Sequence, residues 1–253
     1  MTRTMRRRAR RVAGWALLIM TGTAAAQEGG DLQAQILYAY HTEDANGLTS
    51  LAEHLAAQVA SNPDDRSLRY HLAHADYRRG LLAAAAAPRD AEHALADCVD
   101  QLKAVLAQDV KSAEAMILQA ACLESLADLR KVEGVLLRAR ADDRIKAALA
   151  LEPRNPRGLF VASSRDLERT KPGTAEHRRA AAELELAAQA FDASSSTSPD
   201  APGWGHADTY LALGAELEAR GDRVGARNWI EKALIAAPDY KAAQRRLASL
   251  ARP

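Results

Sequence analysis

Aromatic residues are scarce in this sequence. Two Phe, three Trp and six Tyr together make up 4% of its 253 residues. Alanine is abundant instead, and alanine favours helix and lets helix backbones approach one another closely. Such a chain buries many small helix–helix contacts rather than one thick core. The composition therefore predicts a nearly all-helical protein with no β-sheet.

Signatures of cofactor binding and catalysis are also missing. Neither the G-x-G-x-x-G pattern nor the P-loop pattern is present, and no serine lies in a G-x-S-x-G elbow. His71 and His74 lie three residues apart on one predicted helix with Asp76 nearby, but no third histidine or cysteine ligand is indicated, whereas zinc sites need three or four ligands. We therefore expect no catalytic residue, no metal and no cofactor, and we interpret the chain as non-enzymatic.

Residues 1–26 have the layout of a secretory signal peptide. A start rich in arginine is followed by a short apolar run, Val12–Met20, and then by the small residues Ala24-Ala25-Ala26. The apolar run is shorter than the roughly 20 residues that span a bilayer, which argues against the alternative of an uncleaved membrane anchor. We predict cleavage after Ala26, export to the periplasm, and no stable membrane insertion of the mature chain, residues 27–253.

The mature chain carries a small excess of acidic residues. The predicted signal contains six arginines and no acid, so its removal changes the balance of 34 Lys and Arg against 33 Asp and Glu to 28 against 33. Nucleic-acid-binding domains usually show a basic face and a high pI. We therefore expect no nucleic-acid partner.

Cys98 and Cys122 are the only two cysteines. An even pair in an exported protein is compatible with a disulfide, and the two lie at similar distances from a turn predicted near Ser112. Helix axes usually lie about 8–10 Å apart, however, whereas a disulfide needs Cα atoms within about 6.8 Å. We expect two free thiols in the core, with the disulfide as the alternative.

Most of the chain shows helical periodicity interrupted by turn signals, with one low-complexity loop predicted at residues 194–203. The boundaries between Leu126 and Leu151 are ambiguous. Gly134 either ends a helix or lies inside a longer helix that runs to about Arg140. We favour the longer helix, with a new one starting at Asp142-Asp143, because acidic residues stabilise a first helical turn.

The most regular stretch is a helical-hairpin unit at residues 207–240. Small residues lie where its two helices would cross, and a proline ends the second helix. Its marked positions are Ala207, Tyr210, Leu213, Gly214, Leu217, Ala226, Ile230, Ala233 and Pro238. This unit resembles the tetratricopeptide repeat (TPR), a helix–turn–helix of about 34 residues. Less regular copies can be traced through the preceding chain.

The resemblance implies an all-α, TPR-like α-solenoid of about five antiparallel helical hairpins. It forms a single domain over residues 27–253, and a more polar capping helix at 241–251 covers the last apolar face. The second half of the chain, from Asn155 onwards, also resembles exported bacterial proteins of the TPR type. That likeness implies no activity.

In the TPR family, the first helix of each unit lines a concave groove that holds a partner. The matching positions in this chain are Ile117, Ala121, Asp208, Leu211, Ala215 and Glu218. Repeats that clamp a terminal carboxylate place lysine, arginine or asparagine there, and this chain does not. Its small and apolar positions suit an apolar helix or an extended segment. The sequence leaves two alternatives for this groove. It is either free for a partner, or filled by the first hairpin or by the 194–203 loop.

The resemblance therefore implies a scaffold that binds a protein or peptide in the cell envelope. The alternative is an envelope assembly or structural factor that acts by self-association through the edges of the array. The oligomeric state and the identity of the partner stay open, because a fold alone does not define a function.

Overall fold

The computed structural model describes residues 20–194 and 202–251, and these residues form eleven α-helices and no strand. The predicted all-α fold is confirmed. The helices are α1 (Met20–His41), α2 (Ala45–Ser61), α3 (Arg66–Ala83), α4 (Pro88–Gln108), α5 (Ala113–Leu129), α6 (Gly134–Leu151), α7 (Pro156–Arg169), α8 (Ala175–Ser194), α9 (His206–Ala219), α10 (Arg223–Ala236) and α11 (Lys241–Leu250).

Successive helices pair into hairpins, and each hairpin packs on the next. The pairs are α1 with α2, α3 with α4, α5 with α6, α7 with α8, and α9 with α10, while α11 packs on α10 as the cap. The buried side chains fall into three apolar clusters spread along this order. The result is the predicted α-solenoid of five hairpins and a capping helix, with a core distributed along the array.

The unit at residues 207–240 shows why its small residues matter. A Cβ atom at Gly214 would lie 2.6 Å from Ile230 Cγ1 and 3.1 Å from the Ala226 carbonyl oxygen, so only glycine fits where α9 crosses α10. Ala226, Ile230 and Ala233 are fully buried on the facing side of α10. The regular spacing in the sequence therefore corresponds to a close helix crossing.

The predicted long helix between Leu126 and about Arg140 is wrong. The structure ends α5 at Leu129 and begins α6 at Gly134, so the alternative reading of Gly134 is the right one. Asp142 lies inside α6, where its carboxylate accepts hydrogen bonds from Arg165 at 2.9 Å and Arg169 at 3.0 Å, both on α7. Asp142 therefore marks an ion-paired contact between helices rather than a helix start.

The expectation of two free thiols is also wrong. Cys98 of α4 and Cys122 of α5 form a disulfide with a Cα–Cα distance of 6.4 Å. The usual spacing of about 8–10 Å refers to helix axes, and Cα atoms lie about 2.3 Å from each axis, so facing Cα atoms come much closer than the axes do. Gln119 Nε2 also donates to the Val99 carbonyl at 3.1 Å, which shows how closely α5 approaches the backbone of α4.

Parts of the predicted signal and loop lie outside the described residues. Residues 1–19 of the signal and 195–201 of the loop are among them. Helix α1 begins at Met20 and continues through Ala26, the predicted cleavage site. Within the described ranges, no helix combines the length and apolar character needed to cross a bilayer. Signal cleavage and export stay predictions.

Asp76 of α3 is a buried carboxyl whose ionisation opposes folding. It is only 4% exposed. Burial raises its pKa to about 7 from the ordinary value of 3.8, Arg79 opposes this change, and the charge of Asp97 adds to it. As the pH rises from about 4 to about 7, Asp76 ionises in the unfolded chain before it does so in the folded protein. Its contribution to stability is therefore present at low pH and is lost over this interval.

Replacing Asp76 with asparagine is expected to stabilise the protein in a pH-dependent way. One pKa unit corresponds to about 1.4 kcal/mol. The pKa of about 7 already includes the opposing effect of Arg79, so we expect a gain of up to about 4 kcal/mol at pH 7 and close to zero at pH 4. Urea unfolding of both proteins at these two pH values measures the difference. A gain that does not change with pH would contradict the prediction.

Candidate partner-binding groove

The first helices of the second to fifth hairpins line a concave groove of about 580 Å³. Its walls come from the middle and C-terminal parts of α3, α5, α7 and α9, with His177 of α8 beside them. Small residues form much of its surface, namely Ala121, Ser125, Ser164, Ala212 and Ala215, and larger apolar side chains stand beside them, namely Leu81, Phe160 and Leu167. A groove with small residues between larger apolar ones can receive side chains or the backbone of a bound segment.

The N-terminal halves of the same helices are covered by the chain itself. Trp204, which precedes α9, is 1% exposed, and its indole Nε1 donates to the Tyr70 hydroxyl of α3 at 2.8 Å. Tyr40 of α1 lies beside it, with the Arg78 guanidinium 4.3 Å above its ring. The groove is therefore filled at one end and open at the other. Both the first hairpin and the segment after the predicted loop contribute to the filling.

A buried ion pair joins α3 to α9 at the filled end. Arg78 Nη2 donates to Asp208 Oδ2 at 2.7 Å, and the Tyr240 hydroxyl donates to Asp208 Oδ1 at 2.8 Å. Burial by itself would raise the pKa of Asp208, but the charge and hydrogen bond of Arg78 outweigh it and lower that pKa. Both carboxylate oxygens of Asp208 are thus engaged within the protein.

A second buried cation holds the segment that carries Trp204. Arg157 of α7 donates through Nε and Nη2 to the two carboxylate oxygens of Glu114 on α5, each at 2.7 Å. The same guanidinium donates through Nη1 to the Pro202 carbonyl. The chain entering α9 is therefore fixed to α5 and α7 at the point where it covers the groove.

The open end of the groove is bordered by carboxylates. Two of them have a cationic partner, since Glu124 pairs with Arg169 at 2.7 Å and Asp128 with Arg138 at 2.6 Å, while Glu216 lies 3.1 Å from Nε2 of His177. Glu168, at the exposed rim, has no ion pair or hydrogen bond within the described part of the chain. Its pKa is raised, first by partial burial and then by the charges of Asp128 and Glu124.

The six residues predicted to bind a partner lie in four different environments. Ala121 and Ala215 line the open groove, whereas Leu211 and Asp208 line a smaller recess beside Trp204. Glu218 lies outside both and pairs with Arg246 of α11 at 2.7 Å. Ile117 is fully buried. Contact of these residues with a partner stays a prediction.

The sequence interpretation missed the contribution of α7. Phe160, Ser164 and Glu168 all line the groove, and their spacing of four residues places them on one face of that helix. This spacing is visible in the sequence and follows the proline that starts the helix. It was missed because the fourth hairpin lacks the regular TPR positions from which the first-helix residues could be numbered.

His71 and His74 lie on the buried side of α3. His74 Nε2 accepts a hydrogen bond from Arg78 Nε at 3.2 Å, and burial lowers the pKa of both histidines. Among the residues that the structure describes, no group of three or more His, Cys, Asp and Glu side chains is arranged to hold a metal ion. In this arrangement His74 acts as a neutral acceptor that helps to orient Arg78.

Comparison with known proteins identifies the architecture. No protein-family model and no curated protein matches the sequence. Among solved structures, the chain is similar to TTC0263, a thermophilic TPR protein of Thermus thermophilus, with a TM-score of 0.62, 18% identity, and coverage of 89% of this chain and 98% of that one. This chain has the TPR fold. The resemblance inferred from residues 207–240 is confirmed at the level of the fold.

Two further solved structures are similar at lower TM-scores. YrrB, a TPR protein with an unusual peptide-binding site, has a TM-score of 0.39 and 16% identity, with coverage of 89% of this chain and 96% of that one. MamA has a TM-score of 0.35 and 16% identity, with coverage of 79% and 92%. The TPR fold of this chain is supported by TTC0263 and by its own helix order, independently of these two.

Proposed function

We propose that this protein is a non-enzymatic, exported TPR-type scaffold that binds a protein or peptide segment in the cell envelope. The observation that carries the proposal is the open half of the groove, about 580 Å³ between four parallel first helices. Binding pockets commonly have volumes of about 300–1,000 Å³, and apolar grooves between helices receive amphipathic helices or extended segments. The filled half gives this groove a defined boundary.

The interpretation as a scaffold rather than an enzyme rests on the polar groups of the groove. His177 is the histidine nearest to a catalytic arrangement, but its Nδ1 lies 3.1 Å from the Thr170 hydroxyl and its Nε2 lies 3.1 Å from Glu216. Ser164 Oγ has no hydrogen-bond partner in the described chain. A hydroxyl nucleophile needs a base within hydrogen-bond reach. Ser164 has none among the described residues, and the Thr170 hydroxyl beside His177 donates its proton to the Asp166 carbonyl at 2.6 Å.

The proposed location rests on the sequence of residues 1–26 and on one covalent feature. The arginine-rich start, the apolar run and the small residues before the predicted cleavage site have the three-part signal layout. The Cys98–Cys122 disulfide supports export, because disulfides form and persist in oxidising compartments such as the periplasm.

Site-specific photo-crosslinking in intact cells tests the proposal. A photoreactive phenylalanine analogue replaces Leu81 in the groove or, as a matched control, Leu186, which is 53% exposed on α8. We expect a discrete crosslink to another protein from position 81 and none from position 186. Identical products from both positions, or no product from position 81, would rule out the groove as the binding site.

Self-association is a second candidate because one edge of the array is apolar. A cavity of about 430 Å³ between α10 and α11 is lined by Val224, Leu247 and Leu250, with Arg223 and Arg227 beside them, and Val224 is 73% exposed. If copies of the chain associate there, light scattering of the mature protein gives a dimer or larger species, and Val224→Asp converts it to a monomer. A wild-type monomer at micromolar concentration would exclude this candidate.

A further inference from the structure

The groove has two zones with different chemistry, and the second zone bears on what it binds. One zone is apolar and contains Leu81, Phe160 and Leu167. The other is acidic and contains Glu124, Asp128 and Glu168. We propose that the bound segment carries a lysine or arginine beside apolar residues, and that Glu168 is the carboxylate that receives this cation. The inference rests on the proposed function of the groove.

The charged side chains of the groove leave a negative excess even when their partners are counted. We count every charged residue that lines the groove and every charged residue that forms an ion pair with one of them. This set contains six acidic residues and three arginines. The acids are Glu124, Asp128, Asp142, Asp166, Glu168 and Glu216, and the arginines are Arg138, Arg165 and Arg169. His177, paired with Glu216, changes the excess by at most one charge. A cationic segment is therefore the complementary partner.

The positions of two of these carboxylates reinforce the argument. Asp128 and Glu168 each lie next to the last residue of their helix, α5 and α7 respectively. The C-terminal end of a helix carries partial negative charge, so a carboxylate there is unfavourable and a cation is favourable. The last turn of α5 contains no basic residue, and the only one in the last turn of α7, Arg169, pairs with Glu124 and Asp142. A bound cation would gain from both the carboxylates and the helix ends.

Glu168 differs from the other carboxylates because it is not already paired. It lies at the rim, where a long side chain can reach it from solvent. The charges of Asp128 and Glu124 act against its ionisation, those of Arg169 and Arg138 offset this only in part, and a bound cation would relieve the remaining repulsion. The same excess of acid would repel an anionic lipid surface, so the charge pattern favours a basic peptide over a membrane.

A peptide-display selection on the purified mature protein tests the inference. Random short peptides are selected on wild type, on Glu168→Gln, and on Glu185→Gln, which removes the same charge from an exposed, unpaired position on α8. We expect wild type and Glu185→Gln to enrich peptides with lysine or arginine beside apolar residues. Glu168→Gln should lose this preference, and Glu168→Lys should select against basic peptides.

An enriched peptide is then titrated by fluorescence anisotropy. Replacing its basic residue with norleucine, or replacing Glu168 with glutamine, should each weaken binding about tenfold at low salt, and the two changes together should cost little more than either alone. Circular dichroism confirms that the variants fold, as expected for an exposed side chain without a partner. Raising the salt concentration should weaken wild-type binding more than it weakens binding to Glu168→Gln.

Two results separate the inference from the proposed function. If wild type enriches apolar peptides with no preference for a basic residue, and Ala215→Trp abolishes their binding, the groove binds peptides but the cationic inference is wrong. If no peptide is enriched, or if Ala215→Trp leaves binding of the enriched peptides unchanged, the groove is not a peptide site and both conclusions fail.

Discussion

Replacing Asp208 with alanine is expected to destabilise the protein by about 3–5 kcal/mol, the usual effect of breaking a buried ion pair. The side chains of Arg78 and Asp208 are only 3% and 10% exposed. The substitution leaves the Arg78 cation enclosed by the rings of Tyr40, Tyr77 and Trp204 without a counter-charge. Because the pair joins the second hairpin to the fifth, we also expect the urea transition to lose cooperativity. Urea unfolding followed by circular dichroism measures both effects.

Two variants serve as controls for this prediction. The double replacement Arg78→Met with Asp208→Leu removes both charges and should recover most of the loss, since apolar pairs often substitute well for buried ion pairs. Arg245→Ala breaks the pair with Glu43 that also joins distant parts of the chain, but Arg245 is 63% exposed, so we expect less than about 1 kcal/mol. Equal losses from Asp208→Ala and Arg245→Ala would contradict the role assigned to burial.

Removing the disulfide is expected to cost about 3 kcal/mol. Cys98 and Cys122 are separated by 24 residues, and cross-linking a loop of this size restricts the unfolded chain by about that amount. The bond joins α4 of the second hairpin to α5 of the third, so it crosses a junction between repeats. In a repeat array such junctions carry much of the stability, and their loss lets the parts unfold separately. Urea unfolding of the Cys98→Ala, Cys122→Ala double variant measures the effect.

Reductant provides the control for the disulfide prediction. With a strong reductant present throughout unfolding, the wild type should approach the double alanine variant, because the remaining difference is only the burial of two small thiols. If the two proteins differ as much with reductant as without it, the stabilisation comes from packing of the sulfur atoms. The chain-entropy explanation would then be wrong.

The fold could be predicted because its signals are local. Gly214, Ala226 and Pro238 mark a close crossing and a helix end within one unit, and both act through neighbours in sequence. The predictions about Cys98 and Asp142 failed for a different reason. The disulfide depends on how closely α4 and α5 approach, and the pairing of Asp142 depends on which arginine of α7 lies opposite it. The periodicity of a single helix contains neither piece of information.

The candidate groove could be predicted only in part. Ala121 and Ala215 were found because their units resemble the repeat, whereas Glu168 was not, because its hairpin departs from the repeat. The pairing of Asp208 with Arg78 across 130 residues could not be inferred from spacing. Long-range pairing decides which concave residues stay available, and a single sequence carries little information about it.

The filled half of the concave face closes the open groove at one end. Trp204 and the Arg78–Asp208 pair lie across the direction in which a segment would continue along α3 and α9. If the groove binds a segment as we propose, that segment would have to end or turn back where it meets Trp204. On that proposal, the distance between Trp204 and Glu168 would favour partners whose cationic residue lies at a matching distance from a chain end or a bend.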